Sequence, residues 1–274
     1  MRQISKILDI PFDRVTQSRA LEIMLGAVSS DHKPVPFFAA TPNPEILLKT
    51  LHQPQYREIL KGTDMNLADG IGILWAATYL ASIKPCFSRL HKGWIALKYL
   101  AFILLSPCKI RQILPERVSG SDIMEKLCSM INKNCAVFLL GAEEGIAKSA
   151  GEILKKKYSI TVSGTYSGSP AEEQDSIIRK LVDDSGAQVL FVAFGAPKQE
   201  IWLERNLPHL KSVRLAMGVG GTFDFIAGKL KRAPKVFRYL GLEWLFRLFQ
   251  QPSRVKRIYN ATVKFPLTVY KNSL

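Results

Sequence analysis

Short apolar runs alternate along the chain with stretches whose apolar residues recur at helical spacing, the pattern of an α/β protein with a mainly parallel sheet. The runs predict strands at Val35–Ala40, Met65–Ala68, Ala136–Leu140, Ile160–Ser163, Val189–Phe194 and Arg214–Gly218. The amphipathic stretches predict helices at Glu45–Leu51, Gly72–Leu80, Asp122–Asn132, Gly145–Lys156, Ala171–Asp183 and Lys198–Asn206. Several strand segments are apolar throughout, as strands covered on both faces are. In such sheets ligands bind beyond the carboxyl ends of the strands. The turns placed there are Thr41–Pro44, Ala68–Gly70, Gly141–Gly145 and Gly195–Gln199.

Two segments break the alternation. Lys235–Gln250 reads as a helix with Phe237, Leu240, Trp244, Leu245, Leu248 and Phe249 on its apolar side and Arg238 and Arg247 on its polar side. Ser82–Glu116 contains the longest apolar stretch, Trp94–Leu105, interrupted by Lys98. A spanning helix needs about 20 apolar residues, so this one suits a bilayer interface rather than a crossing. The division expected is a body over 1–228 carrying the insertion 82–116, followed by a helical appendage over 229–274. The first residues have no apolar core of a signal peptide, and none is expected.

Charge sharpens the picture. The net charge is +15, and it is concentrated in those two segments. Residues 82–117 hold seven Lys/Arg against one acidic residue, and 229–274 hold eleven against one, so the remainder is near neutral. A basic surface calls for an anionic partner: nucleic acid, an anionic bilayer or a phosphorylated substrate. Aromatic and aliphatic residues accompany the basic ones at helical spacing and no nucleic-acid motif appears, which favours the bilayer. Cys86, Cys108, Cys128 and Cys135 form no C-x-x-C pair, and the four histidines are scattered, so neither a disulfide framework nor a metal site is expected.

Chemistry-bearing residues gather at the predicted strand ends. Thr41 or Asn43 can cap the helix that Pro44 begins, and capping alone would account for them; a helix start at a strand end can also hold phosphate or sugar hydroxyls. Asp69 ends an apolar run before Gly70 and Gly72, where it is either another cap or a carboxylate placed to take a proton from an attacking hydroxyl. Gly141–Gly145 is only a weak nucleotide-type turn, lacking G-x-G-x-x-G, and this disfavours a nucleotide-dependent oxidoreductase. Pro197 fixes the turn that puts Lys198 and Gln199 in a helix's first turn. Gly220 and Gly221, before Asp224, let backbone lie close to a ligand, although tight packing would also use them. No D-x-D pair occurs anywhere, so no metal or other cofactor is expected; Arg, Lys and helix starts would neutralise a diphosphate instead.

Taken in order, TPNPE, LADGIG, RVSGSD (Arg117–Asp122), VFLLGAEEG, GAPKQE, GVGGTFD, KRAP, GLEWLFRL and QPSR resemble the WecG/TagA/CpsF glycosyltransferases, glycosyltransferase family 26, over roughly Ile4 to Arg257. The resemblance implies a Rossmann-like body and an inverting transferase. Its donor would be a UDP-sugar, such as UDP-N-acetylmannosamine, its uronic acid, or UDP-glucose. Its acceptor would be a polyprenyl-diphosphate-linked sugar, in teichoic acid, common antigen, capsule or exopolysaccharide synthesis. By motif, Asp69 matches a catalytic base with Thr41 and Asn43 beside it, Gln199 an active-site glutamine, Arg117 a nearby basic residue and Asp224 a position near the nucleotide. Arg247, Arg254 and Arg257 match arginines that reach the acceptor's diphosphate. Family members have a short connection where this chain has 82–116, which is expected to be a second membrane-contacting element. These readings place the chain peripherally at the cytoplasmic membrane face, without nucleic acid as a partner; a homo-oligomer is left open. The rivals are a basic nucleic-acid-binding protein and a non-catalytic membrane-associated protein of the same fold, the latter disfavoured by the intact Asp69 and Thr41.

Overall fold

The structure, a computed structural model, describes residues 2–30, 35–234, 237 and 243–274, apart from the Arg247 side chain. Its centre is a six-stranded parallel sheet built from β3 (Phe37–Ala40), β4 (Met65–Asn66), β5 (Ala136–Gly141), β6 (Thr161–Tyr166), β7 (Val189–Ala193) and β8 (Leu215–Gly218), in the order β4-β3-β8-β7-β5-β6. All six strands fall on the segments predicted for them. Preceding them, β1 (Ile4–Ile7) and β2 (Ile10–Asp13) form an antiparallel hairpin, and α1 (Gln17–Ser29) follows with Thr16 as its cap. The hairpin is tied to the sheet edge by Asp13, which accepts from the Asn66 amide at 2.8 Å.

Helices cover both faces, as the all-apolar strands require. The helices after β3 are α2 (Pro44–Thr50) and α3 (Pro54–Gly62), and α4 (Ile71–Ser82) follows β4. Next come α5 (Arg89–Leu105), α6 (Gly120–Met130), α7 (Ile146–Tyr158), α8 (Asp175–Asp184), α9 (Lys198–Asn206) and α10 (Thr222–Ile226). The C-terminal segment contributes α11 (Glu243–Gln250), α12 (Val255–Tyr259) and α13 (Phe265–Asn272), with a π turn at Asn260–Lys264 between the last two. Of the helix predicted over Lys235–Gln250, residues 235, 236 and 238–242 lie outside the described residues.

One helix explains why α5 and the C-terminal segment are held to the sheet. Helix α4 is apolar nearly all round, and Ile73 through Tyr79 are all buried. A helix of that composition has to be covered on every side. Cover comes from residues 82–116 and from α13, whose Phe265 and Val269 join the same core. The Trp75 indole donates to the Ala96 carbonyl at 3.2 Å and the Thr78 hydroxyl to the Ile110 carbonyl at 2.9 Å. Lys92 donates to the Ser273 carbonyl at 2.7 Å, which fastens α5 to the end of α13. The opposite side of α5 is left apolar and exposed: Leu90, Trp94, Leu97, Leu104 and Leu105, with Leu90 83 % accessible. None of the described helices is long and apolar enough to cross a membrane.

Candidate active site

Four neighbouring strands, β4, β3, β8 and β7, deliver their following loops to one edge of the sheet. The β3 and β4 loops run on side by side: Leu67 N donates to the Ala40 carbonyl at 2.9 Å and Asp69 N to the Pro42 carbonyl at 3.2 Å. Val118 N donates in turn to the Ala68 carbonyl at 2.9 Å, which lays Arg117 beside Asp69. Asn43 is the cap of α2, its carboxamide oxygen accepting from Ile46 N at 3.0 Å. Asp69 does not have that duty: α4 starts at Gly70 with no side-chain cap. The carboxylate is half-buried at the mouth of the sheet, with Thr41, Asn43 and Asp69 on the same wall.

Two clefts meet there. The first, of about 220 Å³, is polar and glycine-rich, bounded by Thr41, Asp69, Ser119, Gly195, Gln199, the Gly218–Thr222 loop and Asp224. The second, of about 390 Å³, is mainly apolar. Its floor is Gly70, Gly72 and Trp75; one wall is Leu100, Ile103 and Leu104 of α5, and the other is Ile258, Ala261 and Pro266 of the C-terminal segment. The clefts share Asn43, Glu45, Asp69, Glu243, Arg254 and Arg257, so Asp69 faces both.

Gln199 builds the polar cleft from behind. Its carboxamide oxygen accepts from Gly195 N at 3.2 Å and from Gly220 N at 3.0 Å, which clamps the β7 loop to the β8 loop. Its amide donates to Glu200 at 2.7 Å, and the Tyr56 hydroxyl donates to the other Glu200 oxygen at 3.1 Å. Gly218 has to be glycine: a Cβ there would lie 2.6 Å from the Gln199 amide nitrogen. Burial pushes the Glu200 carboxyl above its ordinary range, and burial together with Glu200 pushes the Tyr56 phenol up as well. Burial thus disfavours the ionised form of Glu200, and the bonds from Gln199 and Tyr56 work against that shift without cancelling it.

The cations at the junction are tied to carboxylates. Arg117 pairs with Glu243 at 2.9 Å and Arg257 with Glu45 at 2.8 Å, both contacts linking the body to the C-terminal segment. Burial works against the Arg117 charge, and Glu243, Asp69 and Asp122 outweigh it, so its pKa is raised further. Lys49 reaches the Ala196 carbonyl at 2.9 Å and holds the β7 loop against α2. Arg232 pairs with Asp122 at 2.6 Å and so draws the segment after α10 onto the start of α6.

The structure therefore brings together Thr41, Asn43, Asp69, Gln199, Arg117, Gly220, Gly221, Asp224, Arg254 and Arg257. Gly141, Pro197 and Lys198 line neither cleft. Gly141 serves the sheet instead, with φ +99° and a position where a Cβ would be 2.8 Å from the Ala193 carbonyl carbon. Lys198 is exposed at the start of α9. The Arg247 side chain lies outside the described residues. Sequence reasoning gave no role to Glu45, Lys49, Ser119, Glu200 or Glu243. Glu45, Glu200 and Glu243 stand inside the motifs TPNPE, GAPKQE and GLEWLFRL, which was the available signal. A model of the glycosyl transferase WecG/TagA/CpsF family matches residues 5–90 and 102–274, and the chain belongs to that family, the glycosyltransferases of cell-surface polysaccharide synthesis.

Proposed function

We propose that the chain is an inverting transferase that moves a hexose or N-acetylhexosamine-type sugar, such as N-acetylmannosamine, its uronic acid or glucose. The donor is a UDP-sugar and the acceptor a polyprenyl-diphosphate-linked sugar. The observation that carries this reading is the position of Asp69, at the junction of a polar, glycine-lined cleft and an apolar one edged by arginines. The two substrates of such a reaction differ in the same way, one water-soluble and nucleotide-borne, the other lipid-borne.

In this reading the UDP-sugar lies in the polar cleft. The Gly218–Gly221 backbone, Thr222 and Ser119 supply its hydrogen-bonding surface, and Gln199, which also borders the cleft, keeps the two loops in register. The acceptor hydroxyl approaches from the arginine side. Asp69 takes its proton as the oxygen attacks the anomeric carbon. The bond from that carbon to the diphosphate oxygen breaks, and UDP leaves with the electron pair. A positioned base contributes about 10²–10⁴-fold to such a step. Donors fixed in place before the reaction meet the charge that develops on the leaving diphosphate.

The reading also places the enzyme peripherally on an anionic membrane, at the cytoplasmic face. The outer side of α5 and the exposed Phe249, Val255, Tyr259 and Leu267 supply apolar contact, and the lysines and arginines between them supply charge. Each basic residue near such a surface contributes about 1 kcal/mol. The test of the whole is incubation with a panel of UDP-sugars and short-chain lipid-diphosphate sugars, followed by mass spectrometry. The expected result is one added hexose-type residue on the acceptor and release of UDP. Hydrolysis of the donor alone, or no change with any pair, contradicts the reading.

A further inference from the structure

We infer that α5 is the outer wall of a binding groove for the first isoprene units of a prenyl diphosphate. The family match leaves out residues 91–101 of α5, Leu100 among them, and takes in Ile103 and Leu104. Yet α5 is firmly built, with Lys92 and Ala96 buried and the Trp75 indole bonded to its backbone. Leu100, Ile103 and Leu104 form one side of the apolar cleft and Trp75 its floor.

The groove is graded. Arg117, Arg254 and Arg257 stand at its polar end with Asp69, Glu45 and Glu243, two of the arginines paired with the glutamates, and the rest of its lining is mainly hydrocarbon. That order of charge and hydrocarbon is the order along a prenyl diphosphate. Leu104 lines the groove and is also 61 % exposed, on the helix whose outer side carries Trp94 and Leu97. The groove therefore opens on the same apolar surface that the membrane reading assigns to the bilayer, and a chain can pass from one to the other without crossing water. This inference rests on the proposed lipid-diphosphate acceptor.

The test is calorimetric titration of the full chain with inorganic diphosphate, geranyl diphosphate and farnesyl diphosphate, without vesicles and without donor. Affinity is expected to rise at least about tenfold from inorganic to farnesyl diphosphate, since each buried methylene is worth about fourfold. Leu104→Asp is expected to abolish that gain. Leu97→Asp, at a position on the same helix that is 63 % exposed and outside the groove, is expected to keep it. Both positions are at the surface, so neither change puts a charge into the core. Equal affinities for the three ligands, or equal losses in the two variants, would overturn the inference. So would self-association through this face that Leu104→Asp relieves with no prenyl preference. The titration needs no turnover. Sugar transfer without a prenyl preference sinks the groove alone, and a prenyl preference without transfer to any acceptor sinks the catalytic reading alone.

Discussion

Arg117 and Glu243 form an ion pair at 2.9 Å, with both side chains largely buried, across the seam between the β4 side of the body and α11. The pair closes over the site next to Asp69, so the C-terminal segment is part of the site's wall. Removing one partner of a buried pair leaves an uncompensated charge and costs more than the pair itself contributes. Glu243→Gln is expected to lower stability by about 1–3 kcal/mol, a few degrees of melting temperature in a chain of this size. It is also expected to raise the KM for the acceptor more than that for the donor. A double-mutant cycle with Arg117→Gln, read by thermal unfolding, should show the two losses to be strongly non-additive.

Gln199 holds two glycine amides at once, and a leucine of similar size would leave both without their partner. Each unsatisfied amide costs about 1–3 kcal/mol where water cannot replace the bond. Gln199→Leu is therefore expected to reduce donor affinity by about tenfold or more and to leave acceptor KM little changed. Steady-state kinetics with each substrate varied separately checks the split.

Gly218→Ala reaches the same clamp from the other side. The added methyl group would meet the Gln199 carboxamide and push it off the two amides that it holds. Overpacking of this kind costs about 1–3 kcal/mol. The expected phenotype is that of Gln199→Leu: weaker UDP binding and a lower melting temperature. The double variant should add little beyond either change.

Glu200 makes stability depend on pH. Its folded-state pKa lies above its unfolded one because it is buried. The native state then keeps a proton that the unfolded chain releases, and stability falls as pH rises. This contribution is fully present below the ordinary carboxylate pKa and is lost as pH climbs through the folded value. Glu200→Gln, which can still bond to Gln199 and Tyr56, is expected to flatten that fall. Thermal unfolding from pH 4 upward measures it, and an unchanged slope in the variant would contradict the assignment.

The outer side of α5 can be tested without dismantling the fold. Deleting the insertion would uncover Trp75 and Tyr79, both fully buried, so point changes are cleaner. Trp94→Ser with Leu97→Ser removes two large exposed apolar groups. Sedimentation with anionic vesicles is expected to show binding weakened about tenfold or more, with donor binding intact. Unchanged partition would remove α5 from the membrane surface.

Strands β3, β5, β7 and β8 were legible because each is an apolar run bounded by turn residues; the edge strand β6, Thr161–Tyr166, is mostly polar and was read from its start alone. The β1-β2 hairpin was not legible. Its turn is made by Leu8 and Asp9, both at positive φ, where glycine or asparagine is the usual signal. Asp69, Thr41 and Asn43 could be read as site residues because they follow apolar strands in quoted motifs. The sequence left open which of them is a cap; the bond from Ile46 N assigns that to Asn43. Gln199 was legible as a site residue but not as a clamp, because its second amide, Gly220, belongs to the next strand's loop. The pairs Arg117–Glu243 and Arg257–Glu45 were hidden because their partners lie far apart in the chain. The insertion's outer face was legible from composition, whereas its inner face, packed on α4 and opening into the apolar cleft, was set by tertiary contacts.

The proposed mechanism stands on the carboxylate of Asp69 as the base. Asp69→Asn keeps the shape and removes the proton acceptor. Transfer of sugar from a saturating UDP-sugar to the lipid-diphosphate acceptor, measured beside UDP affinity by calorimetry, tests it most directly. The expected result is a fall in kcat of about 10²–10⁴-fold with UDP affinity nearly unchanged. A variant that retains most of the wild-type kcat would contradict it.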